Sequence, residues 1–103
     1  PTEQQAIGTA FDQLAAALAD PGIDPRKAGR AEGELDALRR EITNANAQGA
    51  LDGAAIRRSV DWLLINLPPL NPAIQSLFQL PAVVKLLTSA DSETQSWRQD
   101  RFG

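Results

Sequence analysis

The stretch DPRKAGRAEGELDALRREITNA, residues 24–45, decides the fold. Within it Ala28, Ala31, Leu35, Leu38, Ile42 and Ala45 alternate spacings of three and four without a break, the a/d pattern of a coiled-coil seam. Asp24-Pro25 at its head puts a side-chain acceptor at an N-cap and a proline at the first helical position. A helix therefore starts there. Apolar content fades from Thr43 onward, and Gly49 predicts its close.

Toward the N-terminus, Ile7, Ala10, Phe11, Leu14 and Leu18 mark one face of an earlier helix over residues 3–19. Asp20-Pro21-Gly22 stops it. The connection is short, so the simplest neighbour for the residue 24–45 seam is this first helix, folded back as a hairpin. Gly29 and Gly33 fall inside the second helix, where glycine permits close helix contact.

Toward the C-terminus, Asp52 predicts the N-cap of a third helix with Ile56, Val60, Leu63, Leu64 and Leu67 on its face. Trp62 and Ile65 add apolar surface off that stripe, which marks its second half as the central element of a core. Pro68-Pro69 ends it. Asn71-Pro72 repeats the cap-plus-proline signal ahead of Ile74, Leu77 and Phe78, and a helix ended or kinked at Pro81 is followed by Val83, Val84, Leu86 and Leu87. Ser92 with Gln95 predicts a capping box for a last short helix bearing Trp97. No segment alternates with period two.

The expected architecture is therefore a single domain over residues 1–103, all-α, a compact bundle of five or six helices. A long N-terminal hairpin packs on the third helix, and shorter C-terminal helices close the core. The run from Leu67 to Leu87 holds one charge, Lys85, but four prolines and several amides make a spanning helix a poor fit, and core packing is the expectation.

Absences narrow the chemistry. The 103 residues contain no Cys, His, Met or Tyr, so thiolate nucleophiles, disulfides, imidazole triads and the usual zinc and haem ligands are excluded. The acids and the two lysines, Lys27 and Lys85, are scattered without a meeting point, and no glycine-rich phosphate loop is present. The expectation is a protein that is not an enzyme and takes no cofactor or metal. Pro1-Thr2-Glu3-Gln4-Gln5 has no basic segment before an apolar run, which argues against a signal peptide and for a cytoplasmic location. The net charge of −3 provides no overall attraction to nucleic acid.

What remains is binding. At the edges of the residue 24–45 seam, a parallel homodimer would match Lys27 with Glu32 and Glu34 with Arg39, opposite in sign both times; an intramolecular hairpin uses the same seam without a partner. Arg39-Arg40, Arg57-Arg58 and Arg26-Lys27 with Arg30 invite a nucleic-acid reading. Glu32, Glu34, Asp36, Glu41 and Asp61 interleave with them, and pairing with a protein's carboxylates fits at least as well. Trp97 lies near a terminus with less chain around it and is the first hot-spot candidate of the two tryptophans.

Leu70-Asn71-Pro72 through Pro81-Ala82-Val83-Val84-Lys85-Leu86-Leu87, with Trp97 and the closing Arg101-Phe102-Gly103, resembles the helical adaptor or effector-associated regions attached to bacterial defence and signalling proteins. The resemblance covers about the last third of the chain and carries no diagnostic motif. It implies a module that recruits or oligomerises through helix-to-helix contacts, in the manner of death-fold adaptors. The function expected is protein–protein interaction or homo-oligomerisation, with Leu35, Leu38, Arg39, Arg57, Arg58 and Trp97 as surface contributors. The alternative is a small nucleic-acid-binding regulator.

Overall fold

A computed structural model describes residues 3–48 and 51–103. It is an all-α bundle of six helices: α1 (Glu3–Ala17), α2 (Pro25–Gln48), α3 (Gly53–Asn66), α4 (Asn71–Gln79), α5 (Pro81–Thr88) and α6 (Ser92–Phe102), with a 3-10 turn over Pro68–Leu70 between α3 and α4. No strand occurs among the described residues. The Cα radius of gyration is 13.0 Å.

The boundaries follow local chemistry. After α1, Asp20 Oδ1 accepts the Gly22 amide at 2.7 Å, and Asp24 Oδ1 accepts the Arg26 amide at 2.9 Å, which starts α2 behind Pro25 as expected. Asp52, in extended backbone, accepts the Ala55 amide at 3.1 Å and starts α3, while Glu41 Oε1 on α2 accepts the Asp52 amide at 2.9 Å. Those two bonds fix where α3 leaves α2. Gly49, the expected C-cap of α2, lies outside the described residues.

Two expected caps move. The turn over Pro68–Leu70 runs straight into α4, so the boundary residue Leu70 is already helical (φ −81°, ψ −10°) and Asn71 stands inside the helix. Asn71 therefore cannot cap, and its Oδ1 is buried with no partner among the described residues. At α6 the cap is Asp91 instead of Ser92. Asp91 is the residue in extended backbone, and its carboxylate accepts from the Thr94 amide at 3.2 Å and the Thr94 hydroxyl at 2.7 Å. Gln95 closes no capping box; its Nε2 donates to the Thr88 and Ala90 carbonyls left over at the end of α5.

The core is continuous, running from Ile7, Phe11 and Leu14 through Leu35, Leu38 and Ile42 to Ile56, Val60 and Leu63 and on to Ile74, Leu77, Phe78 and Leu87. The stretch from Leu67 to Leu87 thus packs inward, and among the described residues no helix is long and apolar enough to cross a membrane. α1 and α2 do lie in contact. The broadest packing, however, is α2 along α3 and α1 along α4. The reason is the density of the faces on offer: α4 presents Ile74, Leu77 and Phe78, all fully buried, whereas the first turns of α2 present only Ala28 and Ala31. Gly29 and Gly33 do not serve helix contact within the chain, since a Cβ added at either would meet nothing within 4 Å.

α6 is held by aromatic packing and one carboxylate. Phe78 stacks on Phe102 at 4.8 Å between centroids, and Trp97 meets both edge-on, at 5.9 and 5.7 Å. The Trp97 indole N–H donates to Asp61 Oδ1 on α3 at 2.9 Å, and Arg101 Nε donates to the same oxygen at 3.2 Å. The polar edge of a buried ring is thereby satisfied.

Candidate functional site

The structure divides the expected surface residues. Leu35, Leu38 and Trp97 are 6%, 1% and 8% exposed, so they belong to the core, which corrects their expected place at the surface. The a/d seam of α2 is used up against this chain's own helices. Of its flanking charges Glu34 is engaged elsewhere: it sits 3.9 Å from Arg30 Nε and accepts the Ser59 hydroxyl at 3.3 Å, which turns it toward α3 and away from Arg39.

Arg57 is committed internally as well. Its Nε donates to Thr94 Oγ1 at 3.1 Å and its Nη1 to Glu93 Oε1 at 3.2 Å, tying α3 to the first turn of α6. Arg39 and Arg58 remain exposed but are not brought together. Arg39 stands between α1 and α2, its guanidinium 5.8 Å from the Phe11 ring centroid, with grooves of about 280 and 310 Å³ on either side of it. Arg58 lies on the other flank of α2, in a groove of about 490 Å³ shared with Arg30, Glu34, Ala37, Ser59 and Trp62.

The groove around Arg58 is the better-equipped surface. Arg30 on α2 places its guanidinium 4.7 Å from the Trp62 ring centroid, a cation–π stack across the two helices. The stack holds flat an indole that stays partly exposed. One turn further along α3, Ile65 is 77% exposed, the one large hydrophobic residue so exposed among the described residues. Trp62 and Ile65 show their signal in the sequence, because both fall off the inward stripe of α3. The expectation drawn from it, a helix apolar all round at the centre of the core, does not hold on this side, where Trp62 is partly and Ile65 largely exposed. Arg30 had no comparable signal, since only the crossing of α2 and α3 brings it over Trp62.

Trp and Arg are among the residue types most enriched at the hot spots of protein interfaces in general. Among the described residues no three acidic side chains converge.

Two carboxylates depart from their ordinary pKa of 3.8, both downward and both at caps. Hydrogen bonds from the Arg26 backbone and side chain lower Asp24, and the Thr94 hydroxyl and backbone amide lower Asp91. A carboxylate whose folded pKa is depressed contributes stability in full above its unfolded pKa and loses it as the pH falls through the folded value. The contribution of these two caps should therefore be level from about pH 5 upward and be lost below about pH 4. Urea titrations across that range check this, and the double variant Asp24→Asn with Asp91→Asn should show a shallower acid loss. An equal loss in the variant would remove the caps from the account.

Compared with protein families, curated proteins and solved structures, the chain matches none of them.

Proposed function

We propose that this chain is a non-catalytic protein–protein interaction module, an adaptor or self-association domain of the cytoplasm, whose working surface is the outer face of α2 and α3. The observation that carries this reading is the Arg30–Trp62 stack beside exposed Ile65. A lone exposed aliphatic side chain is ordinary on any protein. Here it extends a rigid aromatic and arginine surface, and anchors of that kind carry most of the free energy of known interfaces. Glu34 and Asp61 interleave with Arg30 and Arg58, which favours a protein partner of mixed charge over a nucleic-acid backbone. The resemblance of the last third of the chain to adaptor regions of bacterial defence and signalling proteins is in keeping with such a role.

A photo-crosslinking residue placed at Ile65, with one at exposed Gln13 on α1 as control, tests the reading in cells. Crosslinked protein, identified by mass spectrometry, is expected at position 65, absent at position 13, and reduced when Arg58→Glu is added. Equal yields at the two positions, or none at either, would sink it.

A further inference from the structure

The outward side of α3 carries a second seam. Ala54, Arg58, Asp61 and Ile65 follow the spacing i, i+4, i+7, i+11 within one narrow arc of the helix, opposite the buried stripe Ile56, Val60, Leu63 and Leu67, which has the same spacing. Ala54, Arg58 and Ile65 are exposed, and the Asp61 side chain is 32% exposed. Asp61 Oδ1 is taken by Trp97 and Arg101, and Oδ2 accepts no hydrogen bond among the described residues.

The order of these four residues is self-complementary in one direction only. A parallel pair of α3 helices would set Arg58 against Arg58 and Asp61 against Asp61. An antiparallel pair about a two-fold axis sets Arg58 of each copy against Asp61 of the other, and Ile65 against Ala54, so that the large side chain meets the small one and unlike charges meet. Isologous interfaces require this reciprocity, in which residue i meets j and j meets i.

We infer that the occupant of this face is a second copy of this chain, docked antiparallel along α3 in the register Arg58 to Asp61 and Ala54 to Ile65. The inference rests on the interaction-module reading above and names its partner. A contact of this extent buries under about 1,200 Å² in total, the weak and transient class, so the dimer forms at high local concentration. That suits an assembly domain whose copies are gathered by something else. The charged pairs lie near solvent, so added salt weakens the dimer.

Sedimentation analysis over a concentration series tests it. A dimer is expected that weakens at least about tenfold in Arg58→Glu, where two like-charge contacts replace two unlike ones. Mixing Arg58→Glu with Asp61→Lys should restore it, since each mixed pair again joins opposite charges. Because Asp61 also anchors Trp97, a second measurement avoids that site. The chain has no cysteine, so Ala54→Cys mixed with Ile65→Cys should couple through a short bismaleimide. Each alone should not, their equivalent positions standing about 16 Å apart along the helices in this register. A monomer at every concentration overturns the self-partner, and if Ile65 still crosslinks to a different protein, the broader reading stands without it. A dimer in which Ala54→Cys couples to itself overturns the register.

Discussion

Phe78→Ala should cost about 3–5 kcal/mol of folding stability, the range for emptying a fully buried aromatic site. Phe78 is 0% exposed, lies on α4 and touches two further rings, stacking on Phe102 at 4.8 Å and receiving the edge of Trp97 at 5.9 Å. Removing it leaves Trp97 and Phe102 without the surface on which α6 is seated. Domains of this size are stable by only about 5–15 kcal/mol, so the variant should be largely unfolded at moderate urea. Urea titration followed by circular dichroism gives the number. Phe102→Ala, at a half-buried position, should cost distinctly less, and equal losses would show that Phe78 is not the centre of the cluster.

Gly53→Ala should destabilise by about 1–3 kcal/mol, as overpacking does. The sign is the informative part, because alanine is normally preferred to glycine in a helix, by about 1 kcal/mol in the interior and by less at a first position such as this. A Cβ at Gly53 would stand 2.6 Å from Asp91 Oδ1 and closer still to Thr94 Oγ1. Thr94 cannot step aside: it is fully buried, its hydroxyl donates to Asp91 at 2.7 Å, and it accepts from Arg57 at 3.1 Å. Glycine is what lets the cap of α6 press against the first turn of α3. The same cause predicts coupling. Gly53→Ala and Thr94→Ala together should cost less than the sum of the two alone, and strict additivity would place the strain elsewhere.

The elements of this fold were legible in the sequence because their signals are local. Three-and-four spacing gives α1, α2 and α3, Asp24-Pro25 and Asp52 give two helix starts, and the prolines give the breaks. The shifted caps show where locality fails. Asn71 carries every mark of a cap, yet the turn before it leaves no extended residue at the boundary. Ser92 competes with an adjacent aspartate that offers the stronger acceptor.

Which faces meet is decided by comparing burial among all helices at once, and periodicity along one helix cannot report it. Local pattern thus leaves Leu35, Leu38 and Trp97 as surface candidates, whereas the neighbouring helices bury all three. The working surface shows the same limit from the other side. Ile65 and Trp62 are visible as apolar residues off the main stripe, but only the crossing of α2 over α3 brings Arg30 onto the Trp62 ring.

The chain has no tyrosine and only two tryptophans, which occupy opposite environments. Trp97 is enclosed by two phenylalanine rings and bonded to Asp61, whereas Trp62 lies half-open under a guanidinium. Intrinsic fluorescence therefore divides into two separately addressable signals. The enclosed indole should emit toward the blue and resist acrylamide, reporting whether α6 is seated; the open one should emit toward the red and be quenched, reporting whether the outer face is occupied. Single Trp→Phe replacements would separate the two channels, so that one unlabelled sample could show whether the face is covered while the fold stays intact.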